Sequence, residues 1–573
     1  MVDRENERPR ARNRQPRDFL GEALIKRGVI TEEQLREALA NQGFRKNERG
    51  LLGKILIDMG YCTEADIAGI LATQAGVELI SLEEMSPDPA AMSTVTPEDA
   101  RRYNALPIAF REDRLVVAMK HPNDILALDD LRILTGFDIE PVVVVDNELE
   151  ASIRRYSHET VGVEQAEEEE LDTSGDIDPM EEASERPAVQ LANMILSQAV
   201  SSKASDVHIE MHEAYLRIRF RIDGVLHDIM NPPRRMHASL VSRIKVMSGM
   251  DIAERRVPQD GRMTLRIEGS IIDVRVASLP ATFGERLTLR LLDRSERLIT
   301  LEELGVVPSV LKKYRESVDL PYGFILVTGP TGSGKSTTLY ASLATVDRAE
   351  KNVITVEDPV ERRMEEISQI QINPRAGLTF ASGLRSILRC DPDIIMVGEI
   401  RDAETARIAI ESALTGHLVF ATLHTNDASG SVSRLTEMNV EPYLTASSLA
   451  CVLAQRLARV LCPHCKEEHY LDRAHAEKIP GFPLQEGEEK IRIYRPKPGG
   501  CLRCASTGYS GRIGIYELLP ITEEIQRMTL DRRSAGEIRR KAIEEGMITL
   551  REDGLAKVRE GMTSLEEVMR VVL

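Results

Sequence analysis

The sequence of 573 residues contains no tryptophan, and aromatic residues make up only 4% of it. Hydrophobic residues still account for 42%, so any packed core must be built mainly from aliphatic side chains. There is no run of 18 apolar residues and no apolar segment near the start. These absences predict neither a membrane-spanning helix nor a signal peptide. We therefore expect a cytosolic chain of about three or four domains.

Basic residues are fewer than acidic ones, and this imbalance bears on the partners of the protein. Lys and Arg number 74 against 92 Asp and Glu, which gives a net charge of −18. Nucleic-acid-binding proteins depend on basic surfaces, so we expect no broad contact with DNA or RNA. The net charge does not exclude a local basic channel, so a nucleic-acid translocase is kept as an alternative.

Cysteine is scarce as well, with seven in the chain, but four of them are paired. Two C-x-x-C pairs, Cys462 with Cys465 and Cys501 with Cys504, are separated by a 35-residue spacer. In a reducing compartment such pairs indicate a metal site rather than disulfides, and four thiolates complete a tetrahedral zinc site. Unmetallated or redox-active thiols are the alternative. The spacer is longer than in an ordinary zinc ribbon, so we expect a small subdomain.

The chain does contain a complete phosphate-binding loop. The apolar run 324–327 predicts a buried strand before the loop, and a helix is predicted to open after it. Glycines in such a loop turn backbone N–H groups toward phosphate oxygens, while the lysine reaches the β- and γ-phosphates and the serine hydroxyl ligates Mg²⁺. The residues predicted to bind ATP and Mg²⁺ are Gly329, Pro330, Thr331, Gly332, Ser333, Gly334, Lys335, Ser336 and Thr337, with Ser336 as the Mg²⁺ ligand.

Acidic and histidine side chains adjoin the next predicted strands. The strands and side chains are 353–356 with Glu357, 394–397 with Gly398 and Glu399, and 418–421 with His417 and His424. Ligands of a parallel α/β sheet lie at the carboxyl ends of its strands. A carboxylate there can activate the attacking water or support Mg²⁺, and a histidine can sense the γ-phosphate. An ordinary acidic turn and structural histidines are the alternatives.

Composition and periodicity divide the chain into successive regions. The N-terminal region contains a repeat in which Leu20-Gly21 recurs as Leu52-Gly53, 32 residues later, and Thr31 and Thr63 are predicted helix N-caps. The two copies should pack on each other. The predicted regions are a disordered basic tail (1–17), a helical repeat and α/β docking domain (18–156), a flexible acidic linker (157–186), a second α/β domain (187–297) and an ATPase domain (298–573) that includes a zinc subdomain (456–512).

In their order, these motifs resemble the Asp box, the Gly-Glu form of the Walker B motif and the His box of the secretion ATPases that power type II secretion and type IV pilus assembly. Segments 206–210, 219–224, 257–262 and 284–286 carry the same resemblance into the second N-terminal domain. The resemblance implies an α/β chain with a RecA-like P-loop ATPase core, a PAS-like α/β N-terminal domain, a helical N-terminal repeat domain and a small zinc-binding subdomain.

The resemblance also implies roles for individual residues. Glu357 would be the water-activating base, Glu399 would support Mg²⁺ and water, and His424, with His417 as a weaker candidate, would sense the γ-phosphate. Arg219 and Arg234 would neutralise phosphate charge from the second N-terminal domain, in a homohexamer with ATP at or near subunit interfaces. The tetracysteine site is typical of assembly ATPases in this family.

For the N-terminal repeat the resemblance is to paired helical motifs that bind cyclic di-GMP, in which an arginine precedes each Leu-Gly. Here those positions are Phe19 and Leu51, so a plain docking module is the favoured interpretation and a cyclic di-GMP site the alternative. The expected partners are an inner-membrane platform protein and the cytoplasmic domain of a secretion or pilus component. The expected location is the cytoplasmic side of the inner membrane. A nucleotide-gated scaffold with little turnover is a further alternative, although both acids are present.

Overall fold

A computed structural model describes residues 20–44, 52–83, 85, 87–159, 164–165, 179–267, 269–293 and 297–572. The predicted basic tail lies outside these residues. The chain divides into two compact units, Met1–Asp293 and Arg294–Leu573. Among the described residues, no helix combines the length and the apolar character that crossing a bilayer requires.

The first unit begins with the two repeat copies, each a pair of helices. The helices are α1 (Leu20–Lys26), α2 (Glu32–Phe44), α3 (Leu52–Asp58) and α4 (Glu64–Ala75). Side chains of both copies share one core, which confirms that the copies pack on each other. The glycine at the same position of both copies has a steric reason. A Cβ at Gly21 would lie 2.5 Å from the Leu35 side chain, and one at Gly53 would lie 3.0 Å from the Ile67 side chain.

The predicted helix starts of the repeat are also confirmed. The Thr63 hydroxyl accepts from the N–H of Asp66, whose carboxylate accepts from the N–H of Thr63. Thr31 and Gln34 make the same reciprocal pair. Each capping pair satisfies two N–H groups that the first turn leaves unbonded.

A small mixed α/β region follows the repeat. Its elements are α5 (Pro89–Met92), α6 (Pro97–Tyr103), β1 (Ala105–Arg111), β2 (Arg114–Met119), α7 (Ile125–Thr135), β3 (Asp138–Val143) and α8 (Asp146–Glu159). The sheet order is β1-β2-β3, with β1 antiparallel and β3 parallel to β2.

Most of the predicted acidic linker lies outside the described residues. Where it is described, β4 (Glu164–Gln165) pairs with a later strand, and α9 (Pro179–Ser201) begins before the predicted linker ends. The helix starts on a proline, whose fixed φ suits the first helical position. Helix α9 therefore begins earlier than the acidic composition predicts.

An antiparallel sheet with helices against it completes the first unit. Its further elements are β5 (Ala204–Met211), β6 (Leu216–Ile222), β7 (Val225–Met230), α10 (His237–Met247), β8 (Gln259–Ile267), β9 (Ser270–Ala281) and β10 (Gly284–Asp293). The order is β4-β8-β9-β10-β5-β6-β7. Along β6, Leu216, Ile218 and Phe220 are buried while the intervening arginines lie on the other face, as the period-two pattern predicts.

The second unit is an α/β domain. Its core elements are α11 (Pro308–Val318), β11 (Gly323–Thr328), α12 (Lys335–Thr345), β12 (Val353–Glu357), β13 (Ser368–Gln371), α13 (Phe380–Ile387), β14 (Ile394–Val397), α14 (Ala403–Leu414), β15 (Leu418–Leu423), α15 (Ala428–Glu437), α16 (Pro442–Ser448) and β16 (Leu449–Leu461). The elements after β16 are β17 (Glu467–Asp472), α17 (Arg473–Ala476), β18 (Lys490–Arg495), β19 (Tyr509–Pro520), α18 (Glu523–Leu530), α19 (Ala535–Glu544), α20 (Leu550–Arg559) and α21 (Leu565–Val572).

The main sheet of this unit is parallel except at one edge. The order is β13-β12-β14-β15-β11-β16-β19, and only β19 runs antiparallel to its neighbour. Phe324 and Leu326 belong to the core on one face, whereas Ile325 and Val327 belong to the core on the other. A sheet covered on both faces needs strands that are apolar throughout, which explains the continuous hydrophobic runs. The predicted α/β class is confirmed.

Candidate nucleotide-binding site

The phosphate-binding loop connects the buried strand β11 to α12. Gly329, Gly332 and Gly334 have φ angles of 150°, 77° and 86°, which side chains rarely allow. A Cβ at Gly329 would lie 2.4 Å from the backbone oxygen of Gln455. Gly334 caps α12 without a side-chain hydrogen bond, so the first N–H groups of the helix have no side-chain acceptor there. Such N–H groups and the positive end of the helix dipole suit a phosphate.

Lys335 is the first residue of α12, and its ammonium group lies over its own loop. Nζ donates to the backbone oxygens of Gly329 at 2.9 Å and Pro330 at 3.1 Å. Burial lowers the pKa of Lys335, the negative charge of Glu399 raises it, and the positive charge of Arg456 lowers it further. The charges of Glu399 and Arg456 therefore both act on Lys335.

A buried glutamine on the neighbouring strand supports the loop from behind. Gln455 lies in β16 and is only 1% exposed. Its Nε2 donates to the backbone oxygen of Ser333 at 2.6 Å, and its Oε1 accepts from the Thr338 hydroxyl at 2.8 Å. Gln455 thus joins the loop to the helix that follows it.

Glu399 and His424 meet at the carboxyl edge of the central strands. Nε2 of His424 lies 2.7 Å from Oε1 of Glu399, and Arg401 donates to Oε2 at 2.8 Å. Burial opposes ionisation of Glu399, but the contacts with Arg401 and His424 outweigh it and hold its pKa below the ordinary value. The strands β14 and β15 that carry these residues are neighbours of each other, and β15 also pairs with β11. The predicted juxtaposition of these motifs is present.

The His box is also tied directly to the strand before the phosphate-binding loop. The hydroxyls of Thr328 and Thr425 lie 2.6 Å apart, and the N–H of Thr425 donates to the Thr328 hydroxyl at 3.0 Å. Thr328 ends β11, and Thr425 directly follows His424. The strand that leads into the loop is therefore hydrogen-bonded to the segment that carries His424.

Glu357 is the last residue of β12, and its carboxylate is buried with only 4% exposure. Oε1 accepts from the Thr355 hydroxyl at 2.6 Å and from Nε2 of Gln369 at 3.1 Å. Oε2 accepts a short hydrogen bond from the Tyr340 hydroxyl. Tyr340 lies on α12, so the helix that begins at the phosphate-binding loop is bonded directly to this carboxylate.

The glycine before Glu399 has a structural explanation. A Cβ at Gly398 would lie 3.3 Å from the Cα of Glu357 and 3.3 Å from the backbone oxygen of Val356. Both contacts are with the backbone of the adjacent strand β12, which can yield little. A side chain at position 398 would therefore be tight against β12, a contact that glycine avoids.

The structure separates His417 from the other predicted residues. His417 directly precedes β15, and its ring nitrogen Nδ1 lies 2.8 Å from the backbone oxygen of Ser412. Its own backbone oxygen accepts from Gly323 at the start of β11. It is thus at the amino edge of the sheet, one strand length of roughly 20 Å from the carboxyl edge. His417 therefore lies apart from His424, and its predicted role as a sensor of the γ-phosphate stays a prediction.

The two predicted arginines lie in the first unit. Arg219 on β6 bonds both oxygens of Glu210, at 2.9 and 2.7 Å, and Arg286 binds the same carboxylate at 2.7 Å. Arg234 donates to the backbone oxygen of Glu213 at 2.8 Å and lines a cavity of about 880 Å³. Their predicted roles toward a nucleotide stay predictions.

The four paired cysteines come together at the base of the hairpin formed by β16 and β19. Their sulfur atoms all lie within 4.8 Å of one another, and Cys462–Cys501 and Cys465–Cys504 are each 3.8 Å apart. A regular tetrahedron with Zn–S bonds of about 2.3 Å has sulfur–sulfur edges of about 3.8 Å. The cluster could therefore hold a zinc ion. Between the pairs, β17 and β18 form a two-stranded sheet.

One thiol of the cluster is already favoured for ligation. Burial opposes ionisation of Cys504, but the N–H groups of Cys501 and Gly508 donate to its sulfur at 3.1 and 3.2 Å and lower its pKa to about 6. A thiolate is the form that binds zinc.

Sequence reasoning missed several residues of this site, namely Tyr340, Arg401, Gln455 and Arg456. Arg456 donates to the backbone oxygen of Asn426 at 2.7 Å, next to the His box. A signal existed for Gln455, because it directly follows the apolar run 449–454 within one strand. A buried polar side chain must find partners, so such a position indicates a specific contact. Nothing comparable distinguishes Tyr340 in the sequence.

The parallel sheet, the glycine loop at the start of α12 and the carboxylates at the strand ends define a P-loop ATPase with a RecA-like core. The model of the Type II/IV secretion system protein family matches residues 181–570, and that of the MshEN domain matches residues 75–163. The chain belongs to the Type II/IV secretion system protein family, and it is an ATP hydrolase.

Relatives extend over most of the chain. It is 41% identical over 568 residues to the type IV pilus assembly ATPase PilB of Myxococcus xanthus (strain DK1622), which covers 96% of this chain and 98% of that protein. It is 49% identical over 403 residues to the type II secretion system ATPase E of Vibrio cholerae serotype O1, covering 70% of this chain and 78% of that one. The solved structure of the Legionella pneumophila ATPase DotB has 22% identity and a TM-score of 0.49, over 66% of this chain and 94% of that chain.

Proposed function

We propose that this protein is the hexameric motor that hydrolyses ATP to drive pilin or pseudopilin assembly in type IV pilus biogenesis or type II secretion. The observation that carries the proposal is the convergence of Lys335, Glu399 and His424 at the carboxyl edge of β11, β14 and β15. The relatives named above, which are called assembly and secretion ATPases, support it.

In this proposal each side chain has a defined task. Lys335 and the N–H groups at the start of α12 bind the phosphates, and Ser336 ligates Mg²⁺. Glu357 accepts the proton of the attacking water. Glu399 supports Mg²⁺ and water, and His424, already in contact with Glu399, reports the state of the γ-phosphate.

Arg219 and Arg234 act in the assembled hexamer, where they neutralise charge on the transferred phosphate. A guanidinium supplied from another domain would make turnover depend on assembly, so an isolated chain would be slow. The cysteine cluster binds a structural zinc ion and has no open ligand position for catalysis.

The N-terminal repeat and the α/β region after it dock an inner-membrane platform protein and the cytoplasmic domain of a secretion or pilus component. This places the motor on the cytoplasmic side of the inner membrane. A cyclic di-GMP site in the repeat is the second candidate, favoured by the MshEN match next to the repeat and opposed by Phe19 and Leu51 at the arginine positions. Isothermal titration with cyclic di-GMP decides between them.

The test of the motor is ATP turnover of the full chain with mass measured by light scattering. It is run with and without the cytosolic domain of a candidate platform protein. We expect hexamers whose turnover rises with the platform domain and falls in Glu357→Gln by about a hundredfold or more. Glu366→Gln, at an exposed carboxylate of the same unit, is the matched control. Turnover that ignores the platform domain but rises with DNA would contradict the proposal and indicate a translocase.

A further inference from the structure

The hydrogen bond between Tyr340 and Glu357 joins two parts of the site that have separate tasks. Tyr340 lies on α12, the helix whose start forms the phosphate cradle. Glu357 ends β12, and two strands, β14 and β15, lie between β12 and β11 in the sheet. The hydroxyl of Tyr340 donates to Oε2 of Glu357 and accepts from the N–H of Glu361 at 3.3 Å. Tyr340 is thus held on both sides and has one orientation.

The two oxygens of Glu357 have unequal surroundings. Oε1 takes two donors, the Thr355 hydroxyl and the Gln369 amide. Oε2 takes one, from Tyr340, among the residues that the structure describes. Each carboxylate oxygen can accept about two hydrogen bonds, so Oε2 keeps capacity for one more. Oε2 is therefore the oxygen with an acceptor position left for a water molecule.

We propose that Tyr340 is a positioning residue that orients the carboxylate of Glu357 toward the attacking water. The proposal rests on the proposed role of Glu357 as the base. The Tyr340 hydroxyl fixes the rotation of the carboxylate while leaving one acceptor position of Oε2 open. Because Tyr340 is part of α12, movement of this helix on phosphate binding also moves the base. Phosphate binding and base orientation are thereby coupled.

A neighbouring tyrosine provides a matched control. The Tyr314 hydroxyl lies 2.8 Å from the Ser342 hydroxyl, which is also on α12, and Tyr314 is fully buried. Tyr314→Phe removes a buried hydroxyl contact to the same helix without touching Glu357. A loss common to both variants would reflect a loosened helix, whereas a loss confined to Tyr340→Phe reflects the carboxylate.

The experiment measures kcat and the KM for ATP of full-length hexamers. We expect Tyr340→Phe to lower kcat about tenfold with KM changed less than about twofold, because small misplacement of a catalytic group affects the transition state more than substrate binding. Tyr314→Phe should stay within about twofold of the parent in both constants. In the Glu357→Gln background, Tyr340→Phe should cause no further loss, since the base that it orients is gone.

Three results would overturn the proposal: an unchanged kcat in Tyr340→Phe, an equal loss in Tyr314→Phe, or a full additional loss in the double variant. If Glu357→Gln itself keeps its turnover, the assignment of the base fails, which is a failure of the proposed function and distinct from these three. Should Tyr340→Phe not assemble, Thr355→Val removes a donor from the other oxygen. The proposal then requires a several-fold loss of kcat at constant KM, and an unchanged kcat refutes it.

Discussion

Gln455 shows how a single side chain can determine the shape of a binding loop. It is buried beneath the phosphate-binding loop and bonds both Ser333 and Thr338. Buried polar groups that lose their partner cost about 1–3 kcal/mol each. The loop therefore keeps its shape partly through a residue of the neighbouring strand β16.

Replacement of Gln455 by leucine should weaken nucleotide binding by about tenfold or more, because the Ser333 carbonyl and the Thr338 hydroxyl lose their partner. The dissociation constant of a fluorescent ATP analogue measures the effect. Gln526→Leu is the control, because it makes the same substitution at a partly exposed position on helix α18 and should leave the dissociation constant unchanged. An unchanged dissociation constant in Gln455→Leu would show that the loop holds its shape without it.

At the scale of elements, the last helix of the chain fastens the strand that leads to the cysteine cluster. Glu567 on α21 accepts from the N–H of Arg459 at 3.0 Å and from its side chain at 2.8 Å, and also binds Arg570. Burial opposes ionisation of Glu567, but these donors outweigh it and lower its pKa to about 2 from an ordinary 4.5. The carboxylate thus stabilises the folded chain only while it is ionised.

This arrangement makes a pH-dependent stability prediction. A lowered pKa contributes stability that is present above about pH 4.5 and is lost as pH falls toward about 2. Glu567→Gln should therefore lower the free energy of unfolding by about 2 kcal/mol at pH 7. The difference from the parent should shrink below pH 4.5. Urea denaturation at pH 7, 4 and 3 measures it, with the exposed Glu566→Gln as control. A difference independent of pH would refute the role of the charge.

The cysteine cluster, where we predict a zinc ion, lies at the hairpin of β16 and β19 with its inserted sheet. We expect about one zinc per chain by elemental analysis. Cys501→Ser should lose the metal and lower the melting temperature by several degrees, because the inserted region has little core of its own. Cys390→Ser, at an exposed cysteine outside the cluster, should change neither quantity. Full zinc content in Cys501→Ser would show that the metal binds elsewhere.

At the scale of the whole molecule, the proposed motor requires both units. The phosphate-binding loop lies in the second unit, whereas Arg219 and Arg234 lie in the first. Arg219 shares Glu210 with Arg286, so Glu210 keeps a partner when Arg219 is removed or moves to a phosphate. With a net charge of −18 we expect no general basic surface, so charge neutralisation at a phosphate depends on individual arginines such as these.

Arg219→Gln should lower the turnover of the assembled protein by about tenfold or more while light scattering still shows hexamers. Arg217→Gln is the matched control, since Arg217 lies on the same face of β6 but pairs with Asp228. Equal turnover in the two variants would remove Arg219 from the catalytic machinery and leave it a role in the fold alone.

The sequence by itself determined the ATPase class and the α/β fold. The phosphate-binding loop, the apolar strands and the C-x-x-C pairs are local patterns, each dictated by backbone geometry or by the number of ligands that a metal needs. The 32-residue repeat likewise predicted two helical copies that share a core. Their positions at strand ends added Glu399 and His424 to the site, the family resemblance gave them roles, and the structure places them in contact.

Only the tertiary structure decided which polar groups meet. His417 and His424 flank the same strand, yet the strand puts them at opposite edges of the sheet, because its carboxyl end alone faces the loop. Packing of α12 brings Tyr340 to Glu357, and pairing of β11 with β16 brings the distant Gln455 to the loop. Such contacts depend on long-range register and side-chain packing, which no local pattern records.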